Sequence, residues 1–180
     1  MITHRIITII GAGVAGLSTA IALRQMGIEV QIFEGSPQIS AVGAGLGLGK
    51  NAMMAFDTLG LKEEICKRGK LLPDFTILDQ AGEIIKQPAG ISPTESFDQD
   101  NFTIHRADLH EYLLSQLDPS TVHIGKRLLD LFIEPDYIKL IFEDGSSHIT
   151  NYLIVAEGIH SVVRKKLLPN ATPRYAGYSC

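Results

Sequence analysis

Residues 6–16 read IITIIGAGVAG, and this stretch decides the fold. Residues Ile6 to Ile10, four isoleucines around Thr8, have the composition of a buried strand. Gly11, Gly13 and Gly16 follow in the pattern G-x-G-x-x-G, and Val14 to Met26 reads as a helix stopped by Gly27. Each glycine has its own task. Gly11 lets the chain turn sharply off the strand. Gly13 leaves no side chain where phosphates would approach. Gly16 lets the helix pack close to the sheet. The start of the helix then offers unpaired N–H groups and a partial positive charge to an anion. The stretch is the fingerprint of a fold that binds the pyrophosphate of a dinucleotide.

The next segment supports that reading. Residues 28–34 (IEVQIFE) alternate apolar and polar, as a strand does, and end in Glu34, 18 residues beyond Gly16. An acid near this offset binds a ribose hydroxyl and repels a 2′-phosphate, which favours FAD or NAD over NADP at this site. The competing reading makes Glu34 a solvated acid at a strand end. A rival also exists for the first segment: Arg5, the apolar run to Leu17 and Ala20-Ile21-Ala22 have the outline of a secretory leader. Three glycines at fixed spacing weaken such a helix, and its removal would strip the domain of its first strand.

The 180 residues suffice for one domain, or for one with part of another, and 45% hydrophobic content supports a core. A net charge of −4 without a basic run argues against nucleic acid as a partner. No apolar run reaches the length of a membrane span. Cys66 and Cys180 form neither a metal spacing nor a disulfide framework, and the six histidines complete no ligand pattern. A reducing, cytoplasmic setting fits this cysteine usage.

Further along, AVGAGLGLG at 41–49 reads as a packed, glycine-rich loop that another surface or a flat ligand can approach closely. Helices are expected over Asn51–Leu59 and Leu61–Arg68. A hairpin is expected over 75–87 and a loop over 88–101. Ile104-His105-Arg106 leads into a helix with Leu109, Tyr112, Leu113 and Leu117 on one face. Three strands, Leu128–Glu134, Tyr137–Glu143 and Ser147–Thr150, are separated by turn sequences and form a β-meander. The apolar run 152–156 reads as a buried parallel strand that delivers the chain to Glu157-Gly158. This order is an interrupted nucleotide-binding domain and not a plain βαβ series.

Four segments in this order resemble the FAD-dependent aromatic hydroxylases, the salicylate- and p-hydroxybenzoate-hydroxylase-like flavoprotein monooxygenases. They are GAGVAG at 11–16 with Glu34, GAGLGLGKNA at 43–52, HRADLHEYLL at 105–114 and AEGIHSVVR at 156–164. The resemblance implies an α/β fold: a Rossmann-like FAD-binding domain with a parallel sheet, a β-meander crossover and a partial substrate-domain hairpin. It implies residues 1–72 and 102–180 as the FAD-binding domain, with 73–101 as an inserted hairpin and loop of an incomplete substrate layer. The implied cofactor-binding residues are Gly11, Gly13, Ala15, Gly16 and Glu34 for the ADP half, with Arg106 reaching the cofactor. The alternative for Arg106 is a surface ion pair with Asp108 or Glu111.

The family's D-G-x-x-S-x-x-R motif, which lies at the end of a parallel strand near FAD and the nicotinamide donor, reads Glu157, Gly158, Ser161, Arg164 here, and the resemblance implies Glu157 as a further cofactor-binding residue. Glutamate replaces the usual aspartate and changes its reach, and Arg164 with Lys165 and Lys166 also fits an ordinary solvated helix end. Lys50 stands where the family usually has proline, and it either neighbours the flavin or faces water. The implied reaction is hydroxylation of a small aromatic substrate with bound FAD, O2 and NAD(P)H as transient reductant, and no side chain here is implied as a nucleophile. The resemblance covers only the front part of the family pattern, without its later Gly-Asp motif. The chain is therefore also expected as a catalytically inactive FAD-binding fragment, or as half of a split enzyme completed by a C-terminal polypeptide or a homodimer.

Overall fold

The computed structural model describes residues 6–38, 44–72, 76–86 and 102–177. The elements run β1 (Ile6–Ile10), α1 (Val14–Gln25), β2 (Glu29–Phe33), β3 (Gly45–Leu48), α2 (Lys50–Thr58), α3 (Lys62–Arg68), β4 (Lys70–Leu71), β5 (Ile77–Leu78) and β6 (Ile84–Lys86). They continue with β7 (Phe102–His105), α4 (Arg106–Ser115), β8 (Val122–His123), β9 (Leu128–Ile133), β10 (Ile138–Phe142), β11 (Ser147–Thr150), β12 (Leu153–Val155) and α5 (Val162–Leu167). Contacts divide the chain into two compact units, 1–40 with 113–180, and 41–112.

The first unit is built on a four-stranded parallel sheet in the order β12-β1-β2-β8. The register puts Ile9 beside Ile32 and Ile10 beside Phe33. Side chains alternate across a strand, so these two pairs face opposite sides. Ile9 and Ile32 are fully buried on the α1 side, together with Leu17 and Ala20. Ile10 and Phe33 face the meander, where Leu128, Leu131, Leu140, Phe142 and Val163 complete one buried cluster. The sheet is thus covered on both faces, which explains why β1 is isoleucine at every position but Thr8.

The meander pairs antiparallel in the order β11-β10-β9, as expected from its turns. The apolar run at 152–156 does pair parallel with β1, but as the edge strand β12. Leu153 and Ile154 are half-buried and Val155 is exposed, so apolar composition overstated the burial of this strand. The other edge, β8, carries only two residues and gave no periodic signal.

In the second unit an antiparallel sheet in the order β3-β7-β4 packs Leu48, Phe102 and Ile104 inward. Met53 and Phe56 of α2 and Ile65 of α3 are also buried. The stretch 45–48, expected as a loop, is the strand β3. Its pairing with β7 supplies backbone hydrogen bonds that override the low strand preference of glycine. Residues 41–43 of that glycine-rich segment lie outside the described residues. Gly69 fixes the turn into β4. A Cβ there would overlap the Phe102 ring and the Thr103 carbonyl oxygen.

The hairpin expected over 75–87 is present as β5 and β6, paired across a turn in which Asp79 accepts hydrogen bonds from the N–H groups of Ala81 and Glu83. It lies within the second unit, while the loop expected over 88–101 falls outside the described residues. No described helix is long and apolar enough to cross a membrane.

Candidate dinucleotide site

The glycine loop is shaped by backbone contacts. Gly11 adopts φ +100°, a conformation costly for other residues, and its N–H donates to the Phe33 carbonyl at 2.8 Å. A Cβ on Gly11 would also overlap the Ala156 carbonyl oxygen, because β12 delivers its next residues directly against the loop. Ala156 N–H donates to the Ile10 carbonyl at 2.7 Å and fixes that approach. A Cβ on Gly16 would run into the Gly11 carbonyl oxygen. These two glycines are required by the protein itself.

Gly13 is different. It caps α1 in an extended conformation, φ −71° and ψ 179°, that any residue can adopt. A Cβ built on it meets nothing within 4 Å. The space in front of Gly13 is open, and no side chain caps the helix. The first turn of α1, which includes the exposed Ala15, carries no acidic residue. An open, uncapped and acid-free helix start is the arrangement that receives a phosphate anion.

Glu34 closes the other side. Its Oε2 accepts from Ala12 N–H at 2.7 Å and its Oε1 accepts from Ser36 N–H at 2.7 Å. The carboxylate therefore bridges the glycine loop and the turn after β2, between Gly11 and Gly13. An ionised carboxylate offers about four acceptor positions, so two remain for ligand hydroxyl groups. Ala12 and Ser36 were not singled out by the sequence reading. Their contribution is backbone N–H, which no side-chain pattern announces.

Glu157 is engaged internally. Its Oε2 accepts from Ser161 Oγ at 2.6 Å and from Val163 N–H at 3.2 Å. Ser161 Oγ in turn accepts from Arg164 N–H at 3.0 Å and caps α5. Arg164 Nη2 donates to the Ile159 carbonyl at 2.6 Å. The E-G-x-x-S-x-x-R segment is thus a self-contained turn around Gly158, whose φ is +73°. The turn follows Ala156, the residue that lies against Gly11.

Arg106 opens α4 in the second unit. Its N–H donates to the Ala44 carbonyl at 2.8 Å. The residue is exposed, and among the described residues no ion pair with Asp108 or Glu111 holds its guanidinium. Lys50 opens α2 after Gly49, also without a side-chain cap. No group of three potential ligands for a metal ion occurs among the described residues.

A parallel sheet, a glycine turn leading into an open helix start and an acid at the end of β2 define a Rossmann-like dinucleotide-binding domain. The sequence profile of the family described as "FAD binding domain" matches residues 4–172, and the chain belongs to that family. It is 38% identical over 176 residues to a 3-amino-4-hydroxybenzoate 2-monooxygenase of Streptomyces cremeus, a match covering 96% of this chain and 44% of that protein. It is 33% identical to a 3-hydroxybenzoate 6-hydroxylase of Aquipseudomonas alcaligenes, covering 98% of this chain and 46% of the relative.

Among solved structures, 2,6-dihydroxypyridine-3-hydroxylase from Arthrobacter nicotinovorans superposes with a TM-score of 0.81 at 26% identity, covering 97% of this chain and 42% of that one. Klebsiella pneumoniae HpxO, complexed with FAD and uric acid, superposes with a TM-score of 0.78 at 29% identity, covering 92% and 42%. The chain spans less than half the length of these relatives.

Proposed function

We propose that this chain is the FAD-binding portion of a flavin-dependent monooxygenase that uses NAD(P)H and O2 to hydroxylate a small aromatic substrate. The observation that carries the reading is the open, uncapped start of α1 at Gly13, flanked by the Glu34 carboxylate. The activities of the relatives supply the substrate class.

In this reading Gly11, Gly13, Ala15 and Gly16 form the cradle for the diphosphate. N–H groups of the first turn of α1 donate to its oxygens. Glu34 accepts from the ribose hydroxyls with the positions left by Ala12 and Ser36. Arg106 donates to a diphosphate oxygen as a charged partner. Glu157 acts through the turn that it holds beside Gly11. Bound FAD would supply the redox chemistry, taking reducing equivalents from NAD(P)H and activating O2. The protein's part is to bind, orient and exclude water. Residues 73–101 belong to a substrate-facing layer, and the rest to the FAD-binding domain. A cytoplasmic location fits the reducing chemistry.

A second reading, an FAD-binding module that turns over only with a complementary polypeptide, is favoured by the hairpin. Ile77, Leu78, Ile84 and Ile85 are all exposed there, on two strands that among the described residues pair with each other alone. An isolated two-stranded hairpin is marginal by itself, and such apolar exposure marks a covered surface.

Purified chain is titrated with FAD, FMN and NAD and followed by flavin absorbance and calorimetry. FAD binding in preference to FMN is expected, because the cradle grips the ADP half. Binding of NAD without FAD would overturn the proposal. NAD(P)H oxidation stimulated by a hydroxybenzoate, with this chain alone, would decide against the second reading.

A further inference from the structure

We propose that His123 and His148, both packed on Phe33, form an acid-opened latch that fastens the end of β2, and with it Glu34, to the meander. Phe33 is the last residue of β2. The His123 ring stacks on it with centroids 4.9 Å apart at 22°, and the His148 ring lies 4.7 Å away at 45°. Phe142 of β10 stacks on the same ring at 5.0 Å. His148 Nε2 is 3.0 Å from Oγ1 of Thr8, which is fully buried on β1. The His123 carbonyl accepts the Glu34 N–H at 2.9 Å. Strands β1, β2, β8, β10 and β11 therefore meet at one aromatic ring, and the next residue along β2 is the acid of the candidate site.

Among the described residues no carboxylate acts on the His148 imidazole. Strand β1 presents Thr8, and β10 presents Leu140 and Phe142. Both oxygens of Glu34 are turned to the Ala12 and Ser36 N–H groups. Lys126 lies 6.0 Å from the Phe142 centroid and is tied to Asp144 at 2.5 Å and to Ser146. Arg127 and Glu143 face each other at 3.8 Å in solvent.

Burial, and then the neighbouring His123, push His148 below its ordinary value of 6.5. A histidine with a lowered folded value binds fewer protons in the folded chain than in the unfolded one. Stability is thus full above pH 6.5 and is lost as the pH falls toward the folded value. Cation–π attraction between a protonated imidazole and Phe33 acts in the opposite sense. The sign of the pH effect therefore tests the latch.

The latch rests on ring geometry and not on the identity of the ligand, so its test uses the chain without cofactor. Melting temperatures are measured at pH 7.5 and 5.5 for the wild type and for His148→Gln, which keeps a polar group near Thr8 and cannot titrate. The wild type is expected to lose roughly 2–5 °C more than the variant over this interval. In the wild type, NMR should place the His148 midpoint below 6.5. Protection of the Ala12 and Ser36 amides against exchange should fall about tenfold between the two pH values. Equal losses in both proteins would overturn the latch. If the variant does not fold, a wild-type midpoint at or above 6.5, or unchanged amide protection, would do so.

Discussion

Replacing Gly13 by alanine separates what the glycine loop does for the ligand from what it does for the fold. The backbone at Gly13 suits alanine, and the added methyl meets no protein atom within 4 Å. Alanine is a poorer helix cap than glycine by about 0.5–1 kcal/mol. It also lowers the entropy of the unfolded chain, which returns about 0.4–1 kcal/mol. The net change in stability is within about 1 kcal/mol, or no more than about 4 °C in melting temperature. The methyl would occupy the open space at the helix start. Loss of one charge-assisted hydrogen bond to the diphosphate costs about 1.5–3 kcal/mol, which weakens FAD binding about 10- to 150-fold.

Gly16→Ala is the contrasting variant. Its Cβ meets the Gly11 carbonyl oxygen, a backbone atom that cannot swing aside. A loss of about 3 kcal/mol or more is expected from that overlap. Thermal melts without cofactor and calorimetric titration with FAD measure the two effects separately. If Gly13→Ala melts like Gly16→Ala, or binds FAD as tightly as the wild type, the assignment of the open space to phosphate is wrong.

Three further outcomes follow from the same geometry. Glu34→Gln should cost about 1–2 kcal/mol in urea unfolding, because the amide nitrogen must face either the Ala12 or the Ser36 N–H, donor against donor. FAD binding should weaken with it in the same titration. Ser161→Ala removes both the α5 cap and a partner of Glu157. It should cost about 1–2 kcal/mol in the same unfolding experiment. Lys126, followed by hydrogen bonds from Ser146, holds Asp144 well below the ordinary carboxylate range. Its contribution is present above the unfolded value near 4 and is lost as the pH falls below it. In Lys126→Met, carbon NMR should show the Asp144 titration moving upward toward that value, while an unmoved midpoint would refute the pairing.

The sequence by itself determined the elements whose periodicity or turn chemistry is local. Ile6 to Ile10, the three glycines, α1 and the alternation to Phe33 follow from side-chain pattern and backbone freedom, and they lie where that pattern puts them. The meander was equally legible, because its turn sequences separate strands that pair with their neighbours along the chain. Tertiary structure decided whatever depends on partners distant in sequence. Pairing with Phe102–His105 made a strand of 45–48 despite its glycines. Two residues at 122–123 became a sheet edge only because β2 offered hydrogen bonds.

At the candidate site, the glycine spacing marked the loop, yet only the folded chain distinguishes Gly11 and Gly16, which the protein's own backbone requires, from Gly13, where an added Cβ meets nothing within 4 Å. The Glu34 clamp on Ala12 and Ser36 and the meeting of His123, His148 and Thr8 around Phe33 were invisible for the same reason. A backbone N–H carries no sequence signature, and a contact between residues 8 and 148 exists only once the sheet has formed.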